Sequence, residues 1–373
     1  MNDILSKYAQ LLVQYCLNVQ EGEKVYINTT TLAEPLVREV YRWALRAGAS
    51  LVETNLSFRE QYRILLTESG PEQLKNASPF YRQAMEEFDV FLNIMAPFNL
   101  REDQSVPADK AKIRQAANEP ARKAYFRRTG TDPRELKRNL CLYPTQASAQ
   151  EAGLSLEEYE QFVFKACKLY DDDPIQSWLE VRRKQQQVVD LLNSRQEFRY
   201  LGNGTDLTFS ADGRTWINSD GQTNMPSGEV YTSPVEDSVN GVVHFSYPAL
   251  YQGHAVEGVT LWVKDGYIEK WEADKGQDFL DRIFAIDGTR RFGEAAIGTN
   301  YSIDRMTKNI LFDEKIGGTV HLAIGQSYLQ AGGKNQSSVH WDMITDMTAE
   351  GAIFADGEKI YENGRFLFLS EQL

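Results

Sequence analysis

The last third of the chain holds the side chains whose types and spacing could do metal chemistry. The sequence has only four histidines, all between His244 and His340. Two of them lie close to carboxylates: His321, and His340 in the run His340-Trp341-Asp342. Imidazole and carboxylate are ligands that zinc, manganese and cobalt ions accept. Because residues i and i+2 of an extended segment point to the same face, His340 and Asp342 could hold one divalent ion or lie between two.

Three glutamates extend this set to six candidate ligands. Glu229 ends the run from Asn224 to Glu229, Glu294 follows a glycine, and Glu314 precedes a glycine pair that lets the backbone bend toward His321. Each acid alone is typical of a surface position. Six oxygen and nitrogen ligands in one part of the chain, however, suit two adjacent metal ions that share a bridging carboxylate and a water.

The composition limits the other partners that we expect. The chain has 373 residues, enough for two domains, and 42% hydrophobic with 25% charged residues is typical of a globular protein. A net charge of −13 argues against nucleic acid, which requires a basic surface. No apolar run approaches the roughly 20 residues of a membrane span, and the N-terminus lacks the regions of a signal peptide. Three widely separated cysteines indicate reduced thiols, so we expect a cytoplasmic protein without membrane partners.

The elements that must position the candidate ligands change in character near residue 195. Before it, segments with helical periodicity alternate with short strands, which predicts parallel strands and an α/β fold. The predicted strands are 24–28, 51–54 and 88–95, and the main predicted helices are 35–47, 156–170 and 174–193.

After residue 195 the sequence is typical of β structure. Asp-Gly pairs, which favour tight hairpins, recur at Asp212-Gly213, Asp220-Gly221, Asp265-Gly266 and Asp356-Gly357. One helix is predicted near 277–285. The sequence therefore predicts an α/β N-terminal domain, residues 1–195, that frames a cleft, and a β-rich α+β C-terminal catalytic domain, residues 196–373.

The motifs of several hydrolase and nucleotide-binding classes are missing from the sequence. It has no His-Glu-x-x-His helix, no Gly-x-Ser-x-Gly elbow and no Walker loop. The motifs that it does contain follow one another in a fixed order: Gly48-Ala49, Gln150 to Ser155, Asp172-Asp173-Pro174, Asn224 to Glu229, Gly293-Glu294, Gly298-Thr299-Asn300, Phe312-Asp313-Glu314-Lys315, His321-Leu322-Ala323 and His340-Trp341-Asp342. In this combination the chain resembles, over nearly its whole length, the aminopeptidase T/aminopeptidase S family of dinuclear metallo-aminopeptidases.

The resemblance implies an activity and a set of metal ligands, and the chemistry of two-metal hydrolysis then predicts a general base and a hydrogen-bond donor. It implies a homodimer around an enclosed cavity that releases N-terminal amino acids from peptides through a water activated by two divalent ions, Zn, Co or Mn. The implied metal ligands are Glu229, Glu294, Glu314, His321, His340 and Asp342. Glu294 or Glu229 would take the proton of the water as general base. Tyr328 would donate a hydrogen bond to the tetrahedral oxyanion.

Two other functions are compatible with these residues. Paired carboxylate–histidine sites also serve other two-metal hydrolases, which act on phosphoesters or on non-peptide amides. The absence of a basic clamp near the ligands counts against a phosphoester. A metal-binding assembly protein without turnover is the second alternative, since a fold does not by itself imply a reaction. The complete set of candidate ligands counts against that alternative.

Overall fold

The computed structural model describes residues 2–130 and 134–369. By their internal contacts the residues form two compact units. The first unit consists of Met1–Ile175 with Gly221–Pro226, and the second of Gln176–Asp220 with Ser227–Leu373. The domain boundary expected at residue 195 from the sequence stays a prediction. None of the helices in the described ranges is long and apolar enough to cross a membrane.

Eleven α-helices lie in the described part of the chain, with a π-helix at Leu11–Cys16 and 3₁₀ turns at Thr31–Ala33 and Leu329–Ala331. The helices are α1 Asn2–Gln10, α2 Glu34–Arg46, α3 Gln61–Glu68, α4 Pro71–Leu74, α5 Pro79–Glu87, α6 Ala108–Thr129, α7 Gln146–Glu151, α8 Leu156–Ala166, α9 Pro174–Asn193, α10 Gln277–Phe284 and α11 Ile310–Asp313. The strands are β1 Lys24–Thr30, β2 Leu51–Ser57, β3 Val90–Met95, β4 Lys137–Leu142, β5 Glu197–Gly202, β6 Thr205–Ser210, β7 Ile217–Ser219, β8 Asn224–Met225, β9 Glu229–Thr232, β10 Asn240–Phe245, β11 Ala249–Tyr251, β12 His254–Val256, β13 Val259–Lys264, β14 Tyr267–Glu272, β15 Phe292–Gly298, β16 Thr319–Gly325, β17 His340–Asp346, β18 Ala352–Ala355, β19 Glu358–Glu362 and β20 Arg365–Phe366.

The first unit is built on a parallel sheet with the strand order β2-β1-β3-β4-β8. Tyr26 of β1 and Phe91 of β3 are neighbours in the sheet, and both are buried with Ala84 of α5 and Ala121 of α6. The amphipathic helix α2 connects β1 to β2, and Gly48 just beyond its end has a φ of +91°, the left-handed conformation that glycine adopts at helix ends. The α/β fold predicted for the N-terminal region is confirmed.

The second unit contains two larger sheets, of eight and five strands, and the small pair β11-β12. The strand orders are β14-β13-β10-β6-β5-β18-β19-β20 and β17-β16-β15-β9-β7, and the pairs are antiparallel. Apolar side chains of both sheets form one buried core, which includes Phe198, Leu261, Ile297 and Leu322. The β-rich α+β fold predicted for the C-terminal region is confirmed.

Two of the four Asp-Gly pairs lie in the predicted hairpins. Asp265-Gly266 joins β13 to β14, and Asp356-Gly357 joins β18 to β19. The prediction is wrong for Asp212-Gly213, because β6 and β7, on either side of it, belong to different sheets. It is also wrong for Asp220-Gly221, where the chain passes from the second unit to the first. An Asp-Gly pair favours a local turn, but distant strands determine whether the next segment pairs back.

Candidate metal centre

Four neighbouring strands of the five-stranded sheet carry five of the six candidate ligands. In the order β17-β16-β15-β9, they carry His340 and Asp342, then His321, then Glu294, then Glu229. All seven residues of β15 and all seven of β16 are buried. An acid and an imidazole in such strands require partners, because a buried charge without one is costly.

The register of the sheet brings these side chains to one face. Ala323 of β16 is the cross-strand neighbour of both Glu294 on β15 and Asp342 on β17. His321 lies two residues before Ala323, so its side chain points to the same face. Ala323 ends at its Cβ, which leaves the space between the two carboxylates open. The extended segment predicted at His340-Trp341-Asp342 is confirmed, with Trp341 buried in the core.

The distances within the cluster place Glu294 at its centre. Its Oε1 lies 3.7 Å from His321 Nε2, and its Oε2 lies 3.1 Å from His340 Nε2. Glu229 Oε2 is 3.5 Å from His321 Nε2, and Asp342 Oδ1 is 3.6 Å from His340 Nε2. Two sets of three ligand atoms therefore form, Glu229–Glu294–His321 and Glu294–His340–Asp342, and within each set the atoms lie within 4.8 Å of one another. Glu294 belongs to both sets.

The donor atoms fit divalent metal ions. Glu229 Oε2 and Asp342 Oδ1 are buried, and among the described residues neither has a hydrogen-bond partner. Buried polar atoms are nearly always partnered, so these two oxygens are suited to a ligand outside the chain. His340 Nδ1 lies 2.8 Å from the carbonyl oxygen of Gln326. Since Nδ1 must donate this bond, the neutral ring presents the lone pair of Nε2, the usual arrangement for a metal-binding histidine.

The cluster is a dense set of opposite charges that affect each other's ionisation. Burial raises the pKa of Glu294, but the neighbouring imidazoles of His321 and His340 outweigh it and hold this pKa at about 2. Burial lowers the pKa of both imidazoles, but the surrounding carboxylates raise it to about 9 for His321 and about 10 for His340. In the metal-free protein both rings therefore hold a second proton at neutral pH. A divalent ion would have to displace these protons in order to bind the two rings.

Glu314, the sixth candidate ligand, pairs with a lysine and not with an imidazole. It follows helix α11, and its carboxylate pairs with the ammonium group of Lys315, which also lies 3.4 Å from Glu229 Oε1. Burial raises the pKa of Glu314 to about 8, with further increases from Glu229 and Asp342, although Lys315 lowers it. Glu314 is in neither set of three ligand atoms found among the described residues. Its role as a ligand stays a prediction.

Lys315 is the residue that the sequence reasoning missed. Its side chain has an exposed fraction of 0%, so its charge lies in the protein interior between two carboxylates. No local pattern in the sequence identifies this burial, because the partner Glu229 precedes Lys315 by 86 residues. Lysines are almost never fully buried unless they are paired.

Tyr328 lies beside the cluster, in contact with two other rings. Its ring centroid is 5.0 Å from that of His340 and 5.0 Å from that of Tyr231. The negative charge of Glu294 and then burial raise the pKa of Tyr328 well above its ordinary value. The phenol therefore keeps its proton at neutral pH and can donate a hydrogen bond.

A β-bulge at Gly293 sets the direction of Glu294, and a substitution there is expected to weaken metal binding. The pairing of β15 with β16 shifts between Phe292 and Glu294. A Cβ atom at Gly293 would lie 2.2 Å from the carbonyl oxygen of Gln326, the same oxygen that holds His340. We expect Gly293→Ala to raise the metal dissociation constant by about tenfold or more, as is typical when the support of a ligand is lost.

Competition with a chelator measures this constant. Gly70→Ala, in the first unit, is the matched control, because the nearest atom to its added Cβ would be 3.8 Å away. Equal metal binding by the Gly293→Ala variant and the wild type would show that the bulge does not hold the ligands.

The fold and the site together define a class of protein. A buried cluster of carboxylates and imidazoles on adjacent strands is the donor set that metal-dependent hydrolases use. The family model described as thermophilic metalloprotease (M29) matches residues 1–366. The chain belongs to this family.

Individual relatives agree with the family over the full length of the chain. Aminopeptidase 2 of Geobacillus stearothermophilus is 30% identical, with 98% of each chain covered. Aminopeptidase AmpS of Bacillus subtilis (strain 168) is 29% identical, again with 98% of each covered. The solved structure of wild-type AmpT from Thermus thermophilus matches with a TM-score of 0.82 and 26% identity, covering 98% of this chain and 99% of that one. The predicted family and the predicted enzyme class, metal-dependent aminopeptidase, are confirmed.

Proposed function

We propose that the chain releases N-terminal amino acids from peptides with two divalent metal ions bound at the cluster on the five-stranded sheet. The observation that carries this proposal is the position of Glu294, whose carboxylate is shared by two sets of three ligand atoms. A carboxylate between two ion positions is the arrangement that two-metal hydrolases use. The names of the relatives, aminopeptidases, support the substrate class.

The ligands in this proposal are Glu229, Glu294, Glu314, His321, His340 and Asp342. When bound, the ions would supply a Lewis acid for the scissile carbonyl and a water of lowered pKa. Glu229 and Glu294 are buried carboxylates at the centre of the cluster, and one of them accepts the proton of the attacking water and passes it to the leaving amine. The protonated phenol of Tyr328 donates a hydrogen bond to the oxygen that becomes negatively charged.

The finer properties follow from the same proposal. Zn, Co and Mn all accept carboxylate and imidazole ligands, so each is a candidate for the working ion. Substrates would be peptides with a free N-terminus. The homodimer and the cytoplasmic location expected from the sequence belong to this proposal as well.

Metal-dependent release of N-terminal residues tests the proposal. The protein is stripped of metal, resupplied with Zn, Co or Mn, and assayed with a panel of aminoacyl anilides and short peptides. We expect activity only after resupply, with about two ions bound per chain. His340→Ala and Asp342→Ala should lose it.

His254→Ala is the matched control for the histidine variant. The ring of His254 stacks on Phe279 at 4.3 Å and takes no part in the cluster, so this variant should keep its activity. Full binding of two ions without release of any N-terminal residue would contradict the aminopeptidase proposal. Turnover of phosphoesters or of other amides, assayed as additional substrates, would then identify a different two-metal hydrolase.

A further inference from the structure

One buried hydroxyl, that of Ser233, connects two parts of the candidate metal centre. Ser233 follows β9 directly and has an exposed fraction of 0%. Its Oγ donates a hydrogen bond to the carbonyl oxygen of Gly293 at 2.7 Å. The same Oγ accepts a hydrogen bond from the backbone N–H of Tyr328 at 3.2 Å. Gly293 precedes the shared ligand Glu294, and Tyr328 carries the phenol beside it.

The bond to Gly293 supports the bulge that aims Glu294. In the pairing of β15 with β16, Phe292 is opposite Ile324 and Glu294 is opposite Ala323, so Gly293 is the extra residue of the bulge. A bulge disrupts the local ladder and is stable only if its backbone groups find other partners. The Ser233 hydroxyl is the partner of the Gly293 carbonyl.

The bond to Tyr328 holds the segment that follows β16. This segment packs closely on Ser233, because a Cβ added at Gly333 would lie 2.6 Å from Ser233 Oγ. The N–H of Gly333 also bonds to the carbonyl oxygen of Tyr328 at 3.0 Å. The backbone of Tyr328 is therefore held at two points: its N–H by the Ser233 hydroxyl and its carbonyl oxygen by the N–H of Gly333.

We propose that Ser233 is a positioning residue that holds the phenol of Tyr328 in place relative to the Glu294 carboxylate. The proposal rests on the proposed function, because it takes Glu294 as a metal ligand and Tyr328 as the donor to the oxyanion. A hydroxyl is required, since only a group that donates and accepts at the same atom serves both bonds. In this proposal Ser233 acts through Gly293 and Tyr328, and not directly on the substrate or on a metal.

A double-mutant cycle of Ser233→Ala and Tyr328→Phe tests the connection to the phenol. At saturating metal and substrate, we expect Ser233→Ala to lower kcat about tenfold in the wild-type background, the effect of one lost buried hydrogen bond. In the Tyr328→Phe background we expect it to lower kcat by less than about twofold, because residues that act as a unit are not additive.

Metal affinity, measured by competition with a chelator, tests the connection to Glu294 without turnover. We expect Ser233→Ala to raise the dissociation constant by about tenfold in both backgrounds, as loss of support for a ligand does. Thr232→Val is the matched control: it removes the neighbouring buried hydroxyl, which bonds to the Thr215 carbonyl at 3.0 Å, and should change neither readout. If Ser233→Ala does not fold, Ser233→Cys, which keeps a weak donor, replaces it in the cycle.

Equal losses of kcat in the two Tyr328 backgrounds would overturn the positioning of the phenol by Ser233. An unchanged metal dissociation constant would overturn its support of Glu294 through Gly293. An unchanged kcat in the Tyr328→Phe single variant has another meaning. It would contradict the role proposed for Tyr328, and with it the positioning of that phenol by Ser233, while the metal measurement would still report on the Gly293 bond.

Discussion

Replacing Glu294 by glutamine is expected to remove both metal ions and to lower kcat/KM by about 1,000-fold or more, the range found when a central catalytic group is lost. Glu294 has an exposed fraction of only 3% and is the one residue common to both sets of three ligand atoms in the described chain. Its two oxygens face different imidazoles, those of His321 and His340. A glutamine of the same size cannot offer an anionic oxygen to each side.

Metal content per chain, measured after dialysis against a low concentration of the working ion, distinguishes a shared ligand from an ordinary one. Asp342→Asn is the comparison, because Asp342 belongs to only one of the two sets, and we expect this variant to retain about one ion. Glu257→Gln is the surface control, since Glu257 pairs with Lys275 away from the cluster. Two ions retained by Glu294→Gln would show that Glu294 does not lie between the metal positions.

Local sequence patterns were sufficient for the parts of the fold that depend on neighbours in the chain. Helix Pro174–Asn193 has the predicted bounds, and the strand that begins at Lys24 extends only two residues beyond the prediction. The alternation in His340-Trp341-Asp342 indicated that two donors share a face, and the 3.6 Å between His340 Nε2 and Asp342 Oδ1 agrees. In these cases the determining interactions are local, so one segment carries the information.

The features that the sequence did not reveal depend on contacts between distant segments. The bulge at Gly293 exists because β15 pairs with β16, whose residues lie about 30 positions later. No pattern around Ser233 shows that its hydroxyl meets Gly293 and Tyr328, which are 60 and 95 residues away. The same holds for the ion pair of Lys315, which lies in the turn after α11, whereas its partner Glu229 lies on β9. Side-chain chemistry can be read from sequence, but a partner from a distant strand requires the register of the sheet.

The second large effect is expected from Lys315→Met, which removes a buried positive charge and keeps a side chain of similar length. In the metal-free protein Lys315 lies between the carboxylates of Glu229 and Glu314, and the variant leaves both without this counter-charge. Breaking one partner of a buried ion pair costs about 3–5 kcal/mol of the free energy of unfolding. We therefore expect the free energy of unfolding, measured by urea denaturation with chelator present, to fall by this amount.

Saturating metal should then reduce the difference between Lys315→Met and the wild type, because the divalent ions proposed to bind at Glu229 would supply the positive charge that the variant lacks. A metal that binds only the folded state raises the free energy of unfolding of both proteins. The informative quantity is therefore the increase in this free energy on metal addition, which should be larger in the variant. Lys275→Met is the matched control. Its ammonium pairs with Glu257 at 2.7 Å on the surface, where its side chain is 70% exposed, and such pairs contribute little. A gain on metal addition no larger in Lys315→Met than in the wild type would mean that Lys315 and the metal do not neutralise the same carboxylates.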